Sequence, residues 1–221
     1  MRPGSPALRC VAVLAWLSFV VFVAAAGWVH WARDDLDPLK HTLSRYLVGP
    51  ESEWLITAYI LQGIALVSLG TVLSVVWRRD GESWQTAAAG KLLIMGGICL
   101  AAVALSDLFW PPIDPVRPGW HHYLFAGLAF LGVGAGALGQ TIRCGRDQRW
   151  RRWYRPALWI LGAAVAFALL HRTGLGFPRG LGQKLIIAAL LTWVPLMACA
   201  LWQVPQPNSD NERFPDRGPM Q

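Results

Sequence analysis

The sequence predicts an all-α membrane protein: a bundle of six transmembrane helices with a short amphipathic helix in the first outer loop. Three observations lead there. Of the 221 residues, 54% are hydrophobic and only 15% charged, against a usual charged share of roughly 25%. The apolar residues gather in six blocks, 7–27, 54–77, 92–110, 123–142, 156–170 and 185–204, five of them near the ~20 residues that cross a bilayer. Arginine, lysine and tryptophan then collect at the ends of those blocks, where a membrane helix meets the headgroups.

The first block follows a basic flank of Arg2 and Arg9. A signal peptide with its core at Val11 to Val23 and a cleavage site at Ala24-Ala25-Ala26 is the rival reading. The apolar run continues through Gly27, Trp28 and Val29, long enough to span, so this segment is expected to stay as helix 1. The loop after it, Ala32 to Glu53, is the longest connection. Asp37-Pro38 is a helix start, with the Asp capping free amides and the Pro suited to the first turn. Gly49-Pro50 is a stop. Between them Leu39, Leu43, Tyr46 and Leu47 form an apolar stripe, and His41 and Ser44 share another face.

Helix 3 contains Gly96-Gly97 and ends Ser106-Asp107-Leu108-Phe109-Trp110, which puts the Asp107 carboxylate about one turn inside the boundary. The proline-rich run 111–115 presents Asp114. Helix 4 opens with His121-His122, two side chains about 100° apart, so one of them faces the bundle centre. Its glycines at 127, 132, 134, 136 and 139 suit close helix packing within the chain. Helix 5 has the shortest apolar run. Trp153 and Tyr154 extend it by a turn, with Arg152 and Arg155 snorkelling to the headgroups. Helix 6 begins Gly182-Gln183-Lys184 and contains Pro195, expected to kink it. Residues 1–204 therefore form one six-helix domain, and 205–221, rich in Pro, Asn, Asp and Arg, a disordered tail.

The N-terminus, second and fourth loops and tail hold 13 of the 20 basic residues. The positive-inside rule puts that side, and both termini, in the cytoplasm, for a multi-pass protein of the plasma (inner) membrane. The acidic residues divide so that the outer side is neutral and the inner side holds the whole net charge of +7. A pI near 9.7 is thus a topological bias and no sign of a nucleic-acid partner, and the run Arg149 to Arg155 is an anchor against anionic lipid. Trp28, Trp31, Trp54, Trp110 and Trp120 mark the outer rim, and Trp77, Trp84, Trp150, Trp153 and Trp202 the inner one. The four cysteines avoid the outer loops and show no CxxC spacing, so neither a disulfide framework nor a thiolate metal site is indicated.

All five histidines, His30, His41, His121, His122 and His171, fall on the outer side, with His30 and His171 read as rim residues. Four residues are candidates for chemistry there: His41, Ser44, Asp114 and His122. Asp107, Gln183 and Lys184 are candidates for ligand binding; Asp107 and Lys184 are ionisable groups within membrane segments, which are costly and by default functional candidates. Three readings fit. One is a ligand or transport site. Another is a nitrogen/oxygen metal site from His41, Asp107 or Asp114, and His122, for a divalent ion such as zinc with its bound water activated for hydrolysis. The third is a hydrogen-bonded polar plug, with His41 on Asp114, Ser44 as a helix-stabilising hydroxyl and Lys184 paired with Asp107. No HExxH or comparable ligand spacing occurs, and no cofactor is required by the sequence.

The order His41-x-x-Ser44, Pro112-x-Asp114, His122-x-x-x-Ala126, Gly180-x-x-Gln183-Lys184 resembles the six-helix membrane family called domain of unknown function 998, over roughly Ala7 to Leu201. In that family a His-x-x-Ser motif follows helix 1, Phe-Pro-x-Asp follows helix 3, a histidine opens helix 4, and Gln/Glu-Arg opens helix 6. Here Pro111 stands in place of the Phe and Lys184 in place of the Arg, which removes the planar fork for bidentate carboxylate pairing. Ser44 to Glu53 is also distantly similar to the outer loop of the FRAG1/DRAM/Sfk1 membrane proteins, some of which are linked to lipid handling. These resemblances imply an architecture and no particular reaction. Three functions are carried forward: a protein that binds or senses a lipid or small molecule at the outer leaflet; a membrane-embedded hydrolase or lipid-modifying enzyme using His41, Ser44, Asp114 and His122; and a small transporter. The last is disfavoured, because no charge lies mid-helix and no inverted repeat is visible. The bilayer is the one partner the composition requires, and no protein partner is indicated.

Overall fold

The computed structural model of the chain describes residues 6–78, 84–110, 119–173 and 176–203, with side chains at all of these except 78, 84–87 and 107. Six α-helices make up the fold: α1 (Pro6–Ala32), α2 (Ser52–Arg78), α3 (Trp84–Phe109), α4 (Trp120–Arg146), α5 (Arg151–Thr173) and α6 (Arg179–Gln203). All six contain a stretch long and apolar enough to cross a membrane, and the described residues form no strand. Each helix packs on the next in sequence, and α6 returns to α1, so the six form a ring. The connections between α2 and α3 and between α3 and α4, with Asp114, lie outside the described residues, as do the Asp107 side chain and the tail.

Glycine sets the tightest packing. A Cβ on Gly63 would sit 2.6 Å from the Gly97 carbonyl, and one on Gly97 would sit 2.6 Å from the Gly63 carbonyl. Gly96 and Gly132 lock α3 to α4 in the same way, each Cβ position lying within 3 Å of the other helix's backbone. Helices approach this closely only where no side chain intervenes. Gly127 and Gly134 lie elsewhere on α4, with open space around them. The α4 and α6 backbones, by contrast, come close at few positions and meet through side chains, with α5 packed on both.

Two apolar clusters fill the ring. One centres on Trp77, Trp150 and Trp193, all fully buried. Trp77 Nε1–H donates to Gln140 Oε1 (2.6 Å), and Trp193 Nε1–H donates to Thr141 Oγ1 (3.0 Å). This corrects the assignment of Trp77 and Trp150 to the membrane rim: they lie near that depth but face inward, and their rings pack at 4.7 Å. Trp28, Trp31, Trp54, Trp110 and Trp120 are exposed, as a rim requires.

The other cluster joins Phe22, Val29, Leu55 and Tyr59 to the first loop. The loop helix is shorter than its start and stop signals suggested. Asp37 does cap, its Oδ1 accepting the Leu39 N–H at 2.8 Å, but the turn it starts ends at once. Thr42 is extended (φ −67°, ψ 157°), and a 3₁₀ helix, Leu43–Leu47, follows. A helix of so few residues is marginal on its own, and here tertiary contacts decide its form. Leu43, Tyr46 and Leu47 are buried as the stripe required, whereas Leu39 is 52% exposed.

Candidate functional site

The histidines do gather at one end of the bundle. His30 lies in the last turn of α1 and packs on Tyr46 (ring centroids 4.5 Å), His171 lies in the last turn of α5 against Gly182, and His121 and His122 open α4. His30 and His171 are thus packing residues more than rim residues. His121 turns outward, stacked on Trp110 at 5.0 Å, and His122 turns inward, only 2% exposed. One of the pair faces the centre, as helix geometry demands.

The first loop caps this end, and the start of α6 holds it down. Leu43 N–H donates to Gln183 Oε1 (2.9 Å), Leu181 N–H to the Leu39 carbonyl (3.0 Å), and Lys184 Nζ to the Pro38 carbonyl (2.6 Å). A Cβ on Gly180 would overlap the His41 carbonyl, so only glycine lets the two backbones meet there. The Gly180-x-x-Gln183-Lys184 motif is therefore a clamp on the His41-x-x-Ser44 segment. Lys184 takes a carbonyl and the face of Tyr46 (5.1 Å) as its partners.

A second clamp escaped the sequence reading. Arg33, 8% exposed, makes a bidentate pair with Asp35 (2.7 and 2.8 Å) and donates through Nη1 to the carbonyls of Val48 (2.9 Å) and Pro50 (3.2 Å). The guanidinium holds the Asp35 carboxyl below the usual carboxylate range. Gly49 (φ +93°) permits the turn, and any Cβ there would press on Arg33 at 3.1 Å. The available signal was Arg33-x-Asp35 at a helix end together with Gly49-Pro50, but nothing in either suggests that they meet.

Under the cap lies a narrow cavity of about 60 Å³, bounded by α4 and α6 and closed by α1, α2 and α3. α4 contributes His122, Ala126, Ala129 and Val133 with Phe130 beside them, and α6 contributes Gln183, Ile187, Leu190 and Val194 with Leu191 beside them. In both sets the first four follow a 4-3-4 spacing, and the added residue widens the same face of the helix. Both helices start at the histidine end, so the two stripes run side by side from a polar top to an apolar floor. At 1.5 Å per residue the stripes are about 16 Å long, close to half of a ~30 Å hydrocarbon core. Ser44 completes the polar top, and its Oγ is 2.9 Å from Thr42 Oγ1.

Of the candidate residues, Ser44, His122 and Gln183 meet at this cavity. His41 does not line it, and its Nδ1 lies 3.2 Å from the Asp37 carbonyl. Lys184 faces the loop. Asp107's carboxyl and Asp114 fall outside the described side chains. Among the described residues no group of three or more His, Cys, Asp or Glu is placed to hold a metal ion.

The chain belongs to the family described as Protein of unknown function (DUF998), whose model matches residues 11–200. No curated protein and no solved structure matches the chain, and the more distant likeness to FRAG1/DRAM/Sfk1 proteins is not shown.

Proposed function

We propose that this membrane protein binds a lipid from the leaflet at its histidine end, with one chain in the α4–α6 seam and the polar head against His122, Ser44 and Gln183. The observation that carries this reading is the segregation of the cavity wall, polar at the membrane boundary and apolar for about one leaflet below it. The cavity as it stands is small beside the roughly 300–1,000 Å³ of ordinary ligand sites, so the guest parts the seam. No glycine interlock joins α4 to α6 as it joins α2 to α3 and α3 to α4. The Trp193–Thr141 hydrogen bond ties the two helices away from the cavity lining, so the seam can part along the lining itself. A photoactivatable phospholipid should label 122–133 and 183–194, and Ala126→Leu should cut that labelling several-fold. Labelling confined to outward positions such as Leu131 and Trp159 overturns the reading.

Ser44 and His122 at one cavity end favour a second reading, in which the head is also cleaved or modified by acid–base or metal-assisted chemistry, with Asp114 and a divalent ion such as zinc as further parts. Turnover of bound lipid by wild type, lost in both Ser44→Ala and His122→Gln, supports it; intact lipid in wild type rejects it.

The histidine end faces outward in this reading, in the plasma membrane, with both chain ends cytoplasmic, because most basic residues lie at the other end. A Lys40→Cys chain in intact cells should react with an impermeant maleimide, whereas Arg149→Cys should not. The opposite pattern inverts the topology.

A further inference from the structure

A second set of groups at the histidine end lies outside the cavity and takes no part in the clamps. Trp28 and Trp54 both donate their indole N–H to the same oxygen, Glu51 Oε2, at 2.9 and 3.2 Å. Glu51 has a φ of 60°, a left-handed conformation that a non-glycine residue adopts only when its surroundings hold it there. Trp31 packs on Trp28 with ring centroids 5.1 Å apart. A tryptophan of an ordinary aromatic belt keeps its N–H for water and lipid. Here two indoles instead fix one anion at headgroup depth.

A carboxylate accepts at both oxygens, at about four positions in all, and among the described residues Oε1 receives no bond. Arg33, which reaches the carbonyl of the adjacent Pro50, is held by Asp35 and by the Val48 and Pro50 carbonyls. Two shallow apolar grooves flank Trp28, one of the two indoles on this anion, and share Ala24 with it. One runs along α1 past Gly27 and Trp31, and the other lies between α1 and α2 past Ala25 and Thr57. Nothing lies within 4 Å of the position a Gly27 Cβ would occupy.

We propose that this is a binding site for a phospholipid with a primary ammonium headgroup, of the ethanolamine class, independent of the α4–α6 cavity. The ammonium donates to Glu51 Oε1, and the two acyl chains lie in the grooves on either side of Trp28. Charge selects the head: an ammonium brings three donors to an anion, whereas an uncharged glycerol head on an anionic phosphate brings like charge. The indoles hold the carboxylate in place before the lipid arrives, so little side-chain freedom is lost on binding.

The test uses the full chain in nanodiscs holding phosphatidylethanolamine and phosphatidylglycerol in equal amounts with matched acyl chains, and lipid retained on release is counted by native mass spectrometry. Retained lipid should favour the ethanolamine head about five-fold, the upper range for one exposed charge pair. Glu51→Gln, which keeps the shape and an acceptor for the indoles, should return the ratio to that of the bilayer. No preference in wild type, or a preference that survives Glu51→Gln, overturns the proposal. A measurement on wild type alone serves if the variant fails to fold. Phosphatidylcholine, whose head cannot donate a hydrogen bond, should be retained less than phosphatidylethanolamine, and equal retention also overturns it.

Discussion

Leu43 and Gln183, 140 positions apart in the chain, are joined by a hydrogen bond in which the Leu43 N–H donates to Gln183 Oε1 at 2.9 Å. With its carbonyl engaged by the loop, the Gln183 carboxamide has its NH₂ left to donate, and it lines the cavity. The same side chain thus fastens the cap and presents a donor to whatever enters beneath it.

Gln183→Ala leaves the Leu43 amide without its acceptor. A hydrogen bond of this kind contributes about 1 kcal/mol, so amide exchange across 39–48 should quicken by roughly five-fold. Gln183→Glu keeps the acceptor and should hold the cap closed. Unchanged exchange in Gln183→Ala means that the Leu181 and Lys184 contacts hold the loop without it.

Two glycines of similar appearance in the sequence should respond in opposite ways. Gly97→Ala drives a Cβ to 2.6 Å from the Gly63 carbonyl, and overpacking against backbone typically costs about 1–3 kcal/mol. Gly134→Ala meets nothing within 4 Å and gains helix propensity of up to ~1 kcal/mol. Thermal unfolding in detergent should place the two on opposite sides of wild type, and equal melting temperatures contradict the packing described.

Just past α4, Asp147 accepts the Arg149 backbone N–H (2.9 Å) and pairs with its guanidinium (2.7 Å). Arg149 holds the Asp147 carboxyl below its ordinary range. Because the folded-state value is depressed, the stabilisation is fully present above the ordinary carboxylate pKa and is lost as pH falls through the depressed one. Arg149 is about one-third exposed (32%), so the effect is modest, below ~1 kcal/mol. Asp147→Asn should flatten part of the fall in melting temperature between about pH 6 and about pH 3; a slope equal to wild type shows that the pair contributes nothing.

The six spans were legible because the apolar blocks are long, and the inward turn of His122 because neighbours on a helix diverge by a fixed angle. What escaped was whatever depends on a partner far away in the chain. Arg33 reads as one of seven basic residues on its side until Gly49 turns the chain back beneath its guanidinium. Lys184 reads as a charge at the start of helix 6, and nothing near it in sequence points to its bond with the Pro38 carbonyl of the first loop. Trp77 and Trp150 stand near helix ends, and a tryptophan there reads the same whether it faces lipid or the Gln140 and Cys144 side of the core. The loop helix shortened for the same reason, since Gln183 and Gly180 determine its path.

The clamp that α6 places on the first loop also sets an order of assembly. During synthesis the glycine-locked block α2–α3–α4 has all of its parts once residue 146 has emerged. The loop between α1 and α2 must wait for residues 180–184, nearly the last of the membrane-spanning chain, before Pro38, Leu39 and Leu43 find their partners. The cap over the cavity is therefore among the first segments made and the last closed, and any chain cut short before α6 carries an unfastened loop and an open ring.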